Sequence, residues 1–318
     1  MFSFFKKKPD SNPRGVPLGE LALMLSTGTI KASIEGSSLL AKHEHFTTKV
    51  EVLPPDPGAE SDEPIRAVVR LTTELPRPLQ AMMKGRELES TSMFNPMAAL
   101  GALTIERSKV FVGSRLTIFE RENAWHDLHL PLLLFTIIGG APAILGSIRR
   151  TLTHESKKGG VSDWTADDFE HLKQLMSRFC VCSTSGLGFT AEFGLEAGAT
   201  TAAMSHHKTA LFQMFANQPH PEVGGGLFAI LQLPHRLPSA QRVQQLCAQL
   251  NLLEMAATDS PPHFGAWCPG RSSQNIAYVS FLPNPLHATD DIAMNVTMWA
   301  MHRSTWANGK LAEMGVRD

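Results

Sequence analysis

The chain has 318 residues, 43% of them hydrophobic and 19% charged, with a formal net charge of −1. That length suits two domains of roughly 150 residues each, and the composition is globular and not disordered. A neutral chain with no basic stripe lacks the positive field of a nucleic-acid binder, so no nucleic acid is expected as a partner.

In chain order, the N-terminus comes first. Phe2, Phe4 and Phe5 precede Lys6, Lys7 and Lys8, the reverse of a secretory signal, and the apolar run is too short for one. A frayed, solvated start is expected, with contact to a membrane surface as the other reading. Leu18, Leu21, Ala22 and Leu25 then recur at helical spacing. Residues 30–34 and 47–52 alternate as strands, and a third β-rich run over 68–75 ends in Leu75-Pro76. A middle helix is expected between Pro78 and Leu103, broken at Gly85 and Pro96. A strand pair over 110–112 and 115–119 follows, then a last helix opening at Asp127.

The second half repeats that order. Phe169, Leu172, Leu175, Met176 and Phe179 form a helical stripe, and Thr165, Asp167 and Asp168 supply its start signal. Strands are read over 189–193 and 210–215. A third, over 230–233, leads to a second Leu-Pro pair, Leu237-Pro238, about 162 residues after the first. Val243, Leu246, Cys247, Leu250 and Leu253 mark the middle helix. Residues 264–267 and 276–281 give the strand pair, and the last helix opens at Asp290. Strand runs interrupted by helices without strict β-α alternation give an α+β class with antiparallel sheets. The expected architecture is two tandem units of helix, three strands, helix, two strands and helix. The first covers residues 1–153 and the second 161–318, with a polar, glycine-ended linker over 154–160.

This order of segments around Leu75-Pro76 and Leu237-Pro238 resembles the type III secretion chaperone-like superfamily, over nearly the whole chain. The resemblance implies a small α+β sandwich that binds other proteins and has no catalytic residues. Two copies in one chain would imitate a dimer internally.

Residues 128–148 contain no Asp, Glu, Lys or Arg and are followed by Arg149 and Arg150, which is membrane-spanning length with a basic flank. His129, Pro131, Gly139, Gly140 and Pro142 oppose that reading, and the repeat places the segment over the charged final helix of the second unit. The expectation is a deeply buried helix, not a membrane span. A helix apolar all round needs cover on all sides, which predicts tight packing between the units or a homo-oligomer.

Chemistry is sparse. There is no nucleophile elbow, P-loop or H-E-x-x-H motif, and Gly186, Gly188 and Gly194 lack dinucleotide spacing. His43 with His45, His206 with His207, and His126 with Asp127 and His129 are each better read as surface or capping groups than as half a metal site. Gly224, Gly225 and Gly226 precede a strand, so they read as a loop and not a phosphate cradle. Cys180 and Cys182 flank one residue, which suits neither a disulfide nor a C-x-x-C site. With Cys247 and Cys268 they read as reduced thiols of a cytoplasmic protein. No catalytic, cofactor-binding or metal residue is assigned, and no cofactor is expected.

Trp267, Tyr278 and Trp306 are the candidate protein-binding residues. Core packing is the competing reading, since Val296, Trp299 and Trp306 lie along one helix. The leading functional expectation is a non-enzymatic protein-binding module: an adaptor, a chaperone-like factor or an immunity-type inhibitor. The alternatives are an enzyme with a site at the junction of the units, drawing on His43, His45, Asp127 and His207, and a membrane-attached protein.

Overall fold

The fold is described from a computed structural model, over residues 18–26, 29–43, 46–53, 65–97, 100–119, 134, 136–138, 146, 148, 159–195, 209–257, 260–272 and 274–316. The first unit runs α1 (Leu18–Leu25), β1 (Ile30–Glu35), β2 (Ser38–His43), β3 (Phe46–Leu53), β4 (Ile65–Glu74), α2 (Arg77–Met83), α3 (Glu87–Phe94), a 3-10 turn (Asn95–Met97), β5 (Ala102–Glu106) and β6 (Lys109–Phe119). The second runs α4 (Ala166–Met176), β7 (Val181–Thr184), β8 (Gly188–Gly194), β9 (Thr209–Phe215), β10 (Gly226–Arg236), α5 (Ala240–Ala256), β11 (Ala266–Pro269), β12 (Asn275–Pro283), a 3-10 turn (Asn284–Ala288) and α6 (Ile292–Glu313).

Each unit builds one six-stranded antiparallel sheet. The orders are β1-β2-β3-β4-β6-β5 and β7-β8-β9-β10-β12-β11, which is the same connectivity twice. The α+β class and the two similar units therefore stand. Each unit has four strands before its middle helix, however, not three. β2 escapes the sequence pattern because Leu39, Leu40 and Ala41 do not alternate. It is joined to β1 by a two-residue turn in which Gly36 takes φ 60°, a value that suits the right-handed twist of a hairpin. The missing partner of the second unit is β7, so residues 189–193 match β2 and not β1.

The last strand pair of the first unit also differs from expectation. Residues 110–112 and 115–119 belong to one strand, β6, and its partner is β5. The turn lies at Arg107 and Ser108, both at positive φ (49° and 62°), while Gly113 and Ser114 run on through mid-strand, paired with Thr72 and Leu71. The middle helix breaks at Gly85 as expected. Gly85 sits at φ 78°, a conformation that costs a side-chain-bearing residue about 1 kcal/mol or more.

Helix starts in the second unit follow local chemistry. Thr165 and Asp168 form a reciprocal capping box for α4, and Ser239 accepts from Arg242 N–H at the start of α5. The predicted stripe of α5 is buried at Val243, Leu246, Cys247 and Leu250 but not at Leu253, which is exposed at the far end. Leu, Phe and Met side chains from both units share one core, from Leu21 and Leu39 to Phe169 and Phe212. Each such side chain contributes about 1.5–3 kcal/mol.

Within the 128–148 stretch, the described residues Leu134, Thr136, Ile137, Ile138, Gly146 and Ile148 are helical, and Leu134, Ile137, Ile138 and Ile148 are buried. Gly146 packs on Glu222 of the second unit. Among the described residues, no helix is long and apolar enough to cross a membrane. Residues 1–17 and 154–158 lie outside the described set.

Candidate functional site

Two places concentrate chemistry or unpartnered surface: the junction between the units, and a groove on the first unit. At the junction, α3 packs on β11, and α5 packs on β5 and β6. Arg115 of β6 and His263, just before β11, exchange two backbone hydrogen bonds of 2.7 Å, which ties the sheets together.

The side chains behind that bridge form a closed ionic cluster. Glu254 stands near the end of α5 and is fully buried. Its Oε1 accepts from Arg303 Nε at 2.7 Å, and its Oε2 accepts from the Trp267 indole at 2.7 Å. His263 Nδ1 lies 3.1 Å from Oε2, a contact that is ionic only when the imidazole is protonated and whose geometry falls short of a hydrogen bond. The Arg303 guanidinium sits 3.9 Å from the centre of the Tyr278 ring. Arg115 reaches across from the first unit. It donates to the Glu254 carbonyl (2.8 Å), the Thr117 hydroxyl (2.9 Å), the Ser260 carbonyl (3.0 Å), the Ser260 hydroxyl and the Pro261 carbonyl.

Burial pushes the Glu254 carboxyl up, but Arg303, then His263 and Arg115, outweigh it and hold it well below the ordinary carboxylate range. Burial pulls His263 down. Glu254 opposes that pull, and the two guanidiniums add to it. The cluster is enclosed, with Arg115, Glu254 and His263 at 0% exposure, so a substrate has no path to it. What the arrangement does is fix one unit against the other, since leaving any one charge unpaired there is costly.

The groove lies between α2 and α3. Leu79, Met82, Met83, Met93, Phe94 and Ile148 line it. Met82 and Met93 are 57% and 51% exposed. Arg86 and Glu89, 3.8 Å apart, form its charged rim. The groove exists because Gly85 splits what is a single 17-residue helix, α5, in the second unit. Methionine side chains are flexible and polarizable, so a methionine-lined wall adapts to differently shaped apolar partners. A second, more polar cleft lies between α4 and the start of α6, lined by Trp164, Asp168, His171, His287 and Thr289. Asp168 is committed there to capping Thr165 and to His287 Nε2 at 3.4 Å.

The candidate aromatics fall mostly at the junction. Trp267 and Tyr278 are buried (0% and 5% exposed), so neither presents a surface to a partner, and both pack edge to face inside the molecule (66° between planes). Trp306 is half-buried against the main core, and its indole N–H finds no partner among the described residues.

Of the histidine pairs, only His43 lies among the described residues. His43 ends β2 with its Nδ1 buried, while His45, His126, Asp127, His129, His206 and His207 lie outside the described residues. Among the described residues, no group of three or more His, Cys, Asp and Glu is placed to hold a metal.

The junction cluster carries a signal in the sequence, two charged residues set within buried helical stripes. Arg303 interrupts the buried stripe of Val296, Ala300, Ala307 and Leu311, and Glu254 that of Cys247, Leu250 and Asn251. The groove residues Met82 and Met93 carried no comparable signal. Compared with protein-family models, with curated proteins and with solved structures, the chain matches none of them.

Proposed function

We propose that the chain is a non-enzymatic protein-binding module, of adaptor, chaperone-like or immunity type, that receives an apolar helical segment of another protein in the α2–α3 groove. One observation carries the reading: two methionines, each more than half exposed, line one apolar groove between α2 and α3. A groove between two short helices suits an amphipathic helix, whose anchors at i, i+3, i+4 and i+7 reach into such a floor. The charged rim of Arg86 and Glu89 supports orientation of the bound segment.

The proposed kinship with type III secretion chaperone-like proteins belongs to this reading. It draws support from the paired α+β units, which give one chain the two-unit body that such factors reach by dimerising. Four free cysteines support a reducing compartment such as the cytoplasm.

The test compares wild type with a Met82→Glu/Met93→Glu variant. Both are used to capture partners from the native cytosol, with bound proteins quantified by mass spectrometry. The proposal expects a stoichiometric partner that the variant loses by about tenfold or more, at an unchanged melting temperature. Equal capture by a folded variant would remove the groove from the account.

A further inference from the structure

The cleft between α4 and α6 ends on a helix start that nothing caps. α6 runs for 22 residues, and Asp291 before it takes φ 56° and makes no side-chain cap. The Ile292 amide donates to the Thr289 carbonyl at 3.3 Å, and the Asn295 amide to the Asp291 carbonyl at 2.9 Å. The two amides between them, of Ala293 and Met294, have no partner among the described residues, and both residues line the cleft. Such first-turn amides point away from the helix and together carry roughly half a positive charge.

Thr289 supplies a second, independent sign of a missing partner. It is 2% exposed and lines the same cleft, and its hydroxyl has no hydrogen-bond partner among the described residues. A buried hydroxyl left unpaired is costly unless something completes it. Three donors beside one cleft call for an acceptor, and an oxyanion with two oxygens can serve all three.

Charge narrows the choice. The titratable groups that line the cleft are Asp168, His171, His287 and Asp291, with Asp290 next in the chain. Asp168 is engaged by the Thr165 amide at 2.7 Å and by His287 Nε2 at 3.4 Å. Three carboxyl groups at hand disfavour a dianion such as phosphate and leave a monoanion as the better fit. Leu172 and Leu175 add apolar wall from α4.

We propose that this cleft binds a small monocarboxylate with an apolar body. Its oxygens accept from the Thr289 hydroxyl and from the Ala293 and Met294 amides, and its hydrocarbon lies against Leu172 and Leu175. The site belongs to the second unit and shares no residue with the α2–α3 groove.

The test titrates the isotope-labelled full chain with isovalerate and follows the Ala293 and Met294 amide resonances by NMR. Isovaleramide, the neutral analogue of the same shape, and inorganic phosphate are titrated alongside. Isovalerate is expected to move both resonances saturably, and the amide and phosphate to leave them in place. Thr289→Val should weaken isovalerate binding by about tenfold or more, since it removes a hydrogen bond to a charged group. Its melting temperature should hold or rise, because the variant also removes a buried unpaired hydroxyl. Isovaleramide or phosphate binding as tightly as isovalerate would overturn the proposal, and so would the lack of any saturable shift. That comparison needs no variant. Equal isovalerate affinity in wild type and a folded Thr289→Val would overturn it as well.

Discussion

Asn95 of the first unit and Asn251 of the second clamp their edge strands in the same way. Asn95 Oδ1 accepts from Leu103 N–H at 2.7 Å while its amide donates to the Leu103 carbonyl at 3.4 Å. Asn251 Oδ1 accepts from Trp267 N–H at 2.8 Å and its amide donates to the Trp267 carbonyl at 2.9 Å. Anchored on this pair, the units differ in where their extra residues fall. The stretch from Pro76 to Asn95 is about six residues longer than that from Pro238 to Asn251. Its surplus splits the helix and opens the groove. The stretch after the clamp is longer in the second unit, 16 positions against 8. Its surplus carries Ser260 and His263 onto Arg115. One unit diverged toward an open surface and the other toward the joint.

The clamp predicts an ordering of stabilities. Both asparagines are buried, and alanine would leave a backbone N–H and carbonyl unpaired in each case, at about 1–3 kcal/mol per group. Asn251→Ala should destabilise more than Asn95→Ala, because its second bond is short where that of Asn95 is long. Urea denaturation of the two variants checks the order.

The junction cluster predicts non-additivity. Glu254→Gln leaves Arg303 buried without its counter-charge and should cost about 3–5 kcal/mol. Arg303→Met alone should cost a similar amount. The double variant should be less destabilised than the sum of the two, because neither charge then remains. A double-mutant cycle measured by chemical denaturation reads the difference.

The same cluster predicts acid sensitivity. His263 and Glu254 are both held below their ordinary values of 6.5 and 4.5, so the unfolded chain binds protons that the folded chain refuses. Their stabilisation is fully present above those ordinary values and is lost as pH falls, for His263 from about 6.5 downward and for Glu254 from about 4.5 downward. Melting temperature should decline between pH 7 and 5, and His263→Phe should flatten that part of the curve while leaving the steeper fall below pH 4.5.

Much of the fold was legible because it rests on local periodicity. The stripe of Phe169, Leu172, Leu175 and Met176, the cap at Thr165, the break at Gly85 and the twin Leu-Pro runs all act within a few residues, whereas Phe179, read into the same stripe, lies past the helix end and is exposed. What was missed depends on distant pairing. β7 has only four residues, two of them exposed, and gains its identity from β8. Gly113 and Ser114 look like a turn, yet β4 and β5 hold them extended. Trp267 looks like a contact residue until Glu254, 13 positions away, takes its indole N–H. The groove is a relation between two helices, and no single residue of it carries a mark in the sequence.

The most direct test of the account places a photoreactive side chain at Met93, on the exposed wall of the groove, and crosslinks the intact protein in its native cytosol. The account predicts one saturable adduct, mapping to a partner segment with apolar residues at helical spacing, and its loss when Met82 is replaced by Glu. Adducts confined to the chain itself, or spread over abundant proteins without saturation, would contradict it.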